Sequence, residues 1–148
     1  MTSLAPSLIA IDHDDYDARY VGRTADARQL FLTTPFVPAM GAEGGEFIAL
    51  YIFDAQGELI EARVDTMGPR SSLDMQARDE LRNELLVSLG EVTFGRIEVA
   101  PFSVERFGTR FGLIPREPED EEDIWAVEAQ PGNYMAFFEP WDSGEYDT

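Results

Sequence analysis

Three residue types that carry much of protein chemistry are missing or nearly so. The 148-residue chain has no cysteine, no lysine and a single histidine, His13. Without cysteine there is no disulfide, no thiolate nucleophile and no cysteine-ligated zinc or iron–sulfur cluster. Without lysine there is no Schiff-base chemistry and no lysine for a phosphate-binding loop. No stretch approaches the roughly 18 apolar residues of a membrane-crossing helix. The opening MTSLAPSLIAIDHDD lacks the positive start and the apolar length of a signal peptide. These absences predict a soluble cytoplasmic protein with no cofactor.

Positive charge is the next scarcity. Eleven bases, all arginine, face 29 acids, for a net charge of −18. A field of that sign repels phosphate backbones and anionic lipid, so neither nucleic acid nor membrane is an expected partner. A basic protein surface is the natural complement. Acidity of this size also keeps a protein soluble.

What is present supports a folded domain. Hydrophobic residues make up 44% of the chain, including ten Phe, five Tyr and two Trp, enough for a core without a staple. The length suits a single domain spanning 1–148. SLIAI (Ser7 to Ile11) reads as a short strand. Arg19 to Thr24 and Gln29 to Thr34 read as a hairpin around Ala25–Arg28. A glycine-rich loop follows over Met40 to Glu46. Phe47 to Phe53 is apolar on both faces, as a strand covered from two sides must be. Past the turn Asp54–Gly57, the returning strand alternates. Ile60, Ala62 and Val64 should face inward, and Glu61, Arg63 and Asp65 should face water.

SSLDMQARDELRNELLVSLG then predicts one long amphipathic helix capped by Ser71 or Ser72 and ended by Gly90. Its stripe is Leu73, Ala77, Leu81, Leu85 and Leu89, with Asp74 and Arg78 as a surface pair. GRIEVAPFSVERF and TRFGLIPRE read as two strands, and IWAVEA and YMAFFEP as two more around Pro131–Asn133. The acidic run EPEDEED, Glu117 to Asp123, reads as loop. The sum is α+β: a mostly antiparallel sheet of hairpins with the helix packed as a single layer on one face. The other face of Phe47 to Phe53 then needs cover from C-terminal aromatics or from a second subunit, which makes a homodimer one expectation.

Two clusters bear on function. IDHDDYD, Ile11 to Asp17, gathers four aspartates and the histidine. It begins a calcium-loop spacing at Asp12 and Asp14. The third ligand position holds Tyr16, the glycine position holds Asp17, and the last acid is replaced by Arg23. Asp12, His13 and Asp14 stand as a candidate metal set, although imidazole sites usually recruit a second His or Cys. No serine lies on a nucleophile elbow, so no catalytic residue is assigned. The second cluster is FFEPWDSGEYDT, Phe137 to Thr148, where Trp141 and Tyr146 alternate with Glu139, Asp142, Glu145 and Asp147. Either the segment docks back on the body, or it presents aromatic anchors ringed by acids, together with Trp125, to a basic partner.

The order YVGRTADARQLF, EFIALYIFDAQGEL, PFSVERFGTRFGLI and FEPWDSGEYDT resembles a set of uncharacterised bacterial proteins. Some of these carry a formate hydrogenlyase regulatory protein-like label. That resemblance covers most of the chain and implies a protein that acts by binding, with no active-site residue to transfer. The expected function is therefore an acidic interaction module, a regulator or an immunity-type inhibitor. The alternative is a metal-dependent hydrolase or small-molecule-binding enzyme that uses a carboxylate cluster. Mimicry of nucleic-acid charge is a third possibility.

Overall fold

The computed structural model describes residues 5–38 and 44–148, so most of the predicted Met40–Glu46 loop lies outside the described residues. In chain order the strands are β1 (Ile9–Ile11), β2 (Tyr20–Thr24), β3 (Gln29–Thr33), β4 (Phe36–Val37), β5 (Gly45–Phe53) and β6 (Leu59–Gly68). Helix α1 (Met75–Ser88) follows. Then come β7 (Val92–Phe94), β8 (Ile97–Val99), β9 (Phe102–Arg106), β10 (Thr109–Arg116), β11 (Ala126–Gln130) and β12 (Ala136–Phe137).

The first sheet is built around β5. One edge of β5 pairs with β6, and the other pairs with β3 and then β4 in succession, with β2 and β7 lying outward of β3. A second sheet runs β12-β11-β10-β9, and β1 pairs with β8. Every pairing is antiparallel.

Period-2 alternation divides β5 as its composition requires. Ile48, Leu50 and Ile52 join Leu30, Leu32 and Leu85 of α1 in one apolar cluster. Phe47, Ala49, Tyr51 and Phe53 point the other way, into a larger cluster with Phe111 and Leu113 of β10, Val127 of β11 and Ile9 and Ile11 of β1. The single-layer expectation therefore gives way to three layers: helix, first sheet and second sheet. The face of β5 that called for outside cover is closed from within the chain, by the second sheet together with Trp141 and Tyr146.

The helix differs from its prediction as well. It has 14 residues, and its cap is Asp74, whose carboxylate accepts from the Gln76 and Ala77 amides at 3.0 and 3.1 Å. Ser71 and Ser72 are taken up by a 3₁₀ turn after Pro69. Its capping role takes Asp74 out of the expected pair with Arg78, whose nearest acid among the described residues is Asp79 at 3.9 Å. Only Leu85 is buried, with Leu81, Leu86 and Leu89 packed beside it, so the C-terminal half of α1 does the docking. Leu73 and Ala77 contribute nothing to that cluster.

Two local corrections follow from backbone chemistry. Ile52 pairs with Glu61 and Phe53 with Leu59, which makes Ile60 the extra residue of a β-bulge. It is 55% exposed, and Leu59 takes its place in the core. GRIEVAPFSVERF breaks at Ala100–Pro101: Ile97–Val99 pairs with β1, and Phe102–Arg106 pairs with β10. Proline has no N–H for a continuing ladder. The buried Gln29 side chain ties the sheets together, donating to the Glu98 carbonyl at 2.8 Å and accepting from the Glu98 amide at 2.7 Å.

Candidate functional site

Strand β1 has β8 on one edge and the C-terminal segment on the other. The Ala10 amide donates to the Trp141 carbonyl at 2.9 Å, and the Asp12 amide to the Gly144 carbonyl at 3.0 Å. Asp147 exchanges two backbone hydrogen bonds of 2.8 Å with Ala136, which folds the segment back along β12. The two acidic clusters, far apart in sequence, thus form the two walls of one cleft.

Each wall is held by side chains. Asp14 closes its own turn, one carboxylate oxygen accepting from the Tyr16 and Ala18 amides at 2.8 and 3.1 Å. Its other oxygen accepts from the Tyr146 hydroxyl, which in turn accepts from the Asp17 and Ala18 amides at 3.1 and 3.3 Å. Burial first, and then the bond to Asp14, push the Tyr146 phenol well above its usual range. Burial and the neighbouring Asp14 likewise raise the Asp17 carboxyl. Arg96 spans the walls, donating to Asp12 at 3.0 Å and to the Asp142 carbonyl.

The cleft is open, about 520 Å³, and is lined by Asp12, Asp14, Tyr16, Gly144, Glu145, Tyr146, Asp147 and Thr148. Glu145, Tyr146 and Asp147 also border a smaller hollow of about 150 Å³ with Phe138 and Glu139. Of the candidate binding residues, Glu145, Tyr146 and Asp147 line the cleft. Exposed Asp142 is joined to it through Arg96, and exposed Glu139 lies in the hollow. Trp141 is half-buried and packs on the core. Trp125, also half-buried, precedes β11 at the end of the sheet where β12 runs out into Phe138.

Of the candidate metal set, Asp12 is paired with Arg96, Asp14 is bound to Tyr146, and His13 stacks on Phe94 with centroids 5.8 Å apart. Among the described residues, no group of three or more His, Asp or Glu side chains is gathered to hold a metal ion. None of the helices among them is long and apolar enough to cross a membrane.

Two participants escaped the sequence reading. Tyr16 stands 69% exposed on the cleft rim, and Arg96 clasps both walls. A tyrosine inside an aspartate run and an arginine in a strand-rich segment carry no pattern of their own. No family model matches the chain, and no curated protein or solved structure matches it either.

Proposed function

We propose that this chain is a small acidic interaction module, a cytoplasmic regulator or immunity-type inhibitor, that docks a basic protein surface at this cleft. The observation that carries the reading is the convergence of Asp12, Asp14, Glu145 and Asp147 on one open cavity. Glu145 and Asp147 enter no ion pair among the described residues, so their charge is free to meet a guanidinium or ammonium group. The turn of Asp14 and the anchored Tyr146 hold the walls before a partner arrives, which limits the ordering cost of association. Because Trp141 and Tyr146 are largely committed to the core, the exposed aromatic contact falls to Tyr16. The regulatory label of the resembling proteins points the same way.

The test is a pull-down from lysate of the native host at low and high ionic strength, with Glu145→Gln/Asp147→Asn beside the unmodified protein. A basic protein retained at low salt, and lost by the double variant or at high salt, is expected. No retained partner at low salt, or equal retention by the variant, overturns the proposal. The same carboxylates read as a divalent-cation enzyme make a different prediction. Mg²⁺, Ca²⁺, Mn²⁺ or Zn²⁺ at 100 times its dissociation constant would then stabilise the protein by about 2.7 kcal/mol.

A further inference from the structure

Arginine is scarce in this chain, yet four of the eleven line one groove: Arg19, Arg70, Arg78 and Arg82. The groove follows from how α1 docks. Its C-terminal half is seated by Leu81, Leu85 and Leu89, while Arg78 and Arg82, four residues apart on one face, extend toward the Tyr16–Tyr20 segment. Between them lies a cavity of about 160 Å³ floored by Leu32 and Ile48 and edged by Thr33 and Thr34. It continues past Asp17 and Thr34 into a wider cleft of about 500 Å³.

These guanidinium groups are incompletely used. Arg70 is paired with Glu46 at 2.9 Å. Arg82 donates through Nη1 to Asp79 at 3.0 Å, but its Nε–H is buried and meets no acceptor among the described residues. Among the described residues, Arg78 reaches no acid closer than 3.9 Å. Arg19 and Arg82 flank the Tyr20 ring, at 5.7 and 5.5 Å from its centroid. Among the described residues the lining carries two acidic side chains: Glu46, already held by Arg70, and Asp17. A buried charged donor without an acceptor is unfavourable, and a planar guanidinium fork matches carboxylate and phosphate oxygens.

We propose that this groove binds a small organic oxyanion, a carboxylate or phosphate ester with an apolar body. Arg78 and Arg82 take the oxyanion, Arg19 and Thr34 stand at the rim, and Leu32, Ile48 and the Tyr20 ring hold the apolar part. The groove shares Tyr16 and Thr148 with the acidic cleft but none of that cleft's acidic side chains. Its ligand has the opposite charge to a basic partner.

The test follows the arginine Nε–H signals by ¹H–¹⁵N NMR while phenyl phosphate, benzoate or inorganic phosphate is added, with sodium chloride as control. Saturable shifts of Arg78 and Arg82 with phenyl phosphate or benzoate are expected, and the tighter of the two names the oxyanion. Arg78→Gln should weaken that binding about tenfold, the effect of one lost charge-assisted hydrogen bond. Arg110→Gln on β10 and Glu145→Gln/Asp147→Asn should leave it unchanged. Non-saturating shifts shared by all arginines, or equal affinity in both Arg78→Gln and Arg82→Gln, overturn the proposal. Inorganic phosphate binding as tightly as phenyl phosphate overturns the apolar half of it. Arg78 is partly exposed, so its variant remains informative should Arg82→Gln fail to fold.

Discussion

Gly144 lies directly against the Asp12 carboxylate: a Cβ at Gly144 would sit 2.3 Å from the Asp12 Cγ. Its backbone also has φ +82, a conformation that side chains disfavour. Gly144→Ala is therefore expected to cost about 1–3 kcal/mol, from the strained dihedral and the displaced carboxylate together. Urea unfolding measures the loss. Combining it with Asp12→Ala should recover the steric part only, because the dihedral cost remains.

Alkaline stability should depend on tyrosine. Burial raises the phenols of Tyr51, Tyr134 and Tyr146 above the ordinary value of 10.0. The folded state therefore holds protons that the unfolded chain releases, so this contribution is intact below pH 10 and is lost as pH rises beyond it. Tyr146→Phe should cost about 1–3 kcal/mol at neutral pH, since Asp14 and two amides lose a partner. It should also make the alkaline decline shallower. Unfolding curves collected from about pH 7 to pH 11 check both effects.

At the acid end the informative group is Asp123, whose carboxyl is lowered to about 2. The Glu119 amide, the Arg116 guanidinium at 2.7 Å and the Ile124 amide all favour its charged form. A depressed carboxyl stabilises the fold above its unfolded value of 3.8, and that stabilisation disappears as pH falls through about 2. Carboxyl NMR titration should find Asp123 among the last acids to protonate. Asp123→Asn should loosen the Glu117–Asp123 loop and flatten the acid limb of the stability curve.

The layering is tested by a contrast between two aliphatic residues. Leu85→Ala removes the one buried side chain of α1 and should cost about 2–4 kcal/mol. Ile60→Asp lies at the bulge and should stay within about 0.5 kcal/mol. Had Ile60 kept to simple alternation, the same change would be severe. Chemical denaturation of both variants decides the matter.

That contrast also marks how far the chain could be read without coordinates. The β2–β3 hairpin and the doubly apolar β5 were legible because local alternation and turn residues define them. The bulge at Ile60 was not, since a one-residue insertion leaves no trace in composition. The helix start is ambiguous in sequence because Ser71, Ser72 and Asp74 are all competent caps, and the 3₁₀ turn after Pro69 takes up the two serines. The second sheet is legible only as separate strands, because its role as cover for β5 rests on long-range packing. At the candidate site both acidic clusters were evident, but their meeting was not. It depends on backbone bonds from Ala10 and Asp12 to residues more than a hundred positions away.

The 132-position separation between Asp14 and Tyr146 has a consequence during biosynthesis. A nascent chain still lacking Phe137 to Thr148 cannot assemble the acidic cleft, whatever else has folded. The cleft walls and the Tyr146–Asp14 bond that holds them are therefore completed only after that segment has been translated.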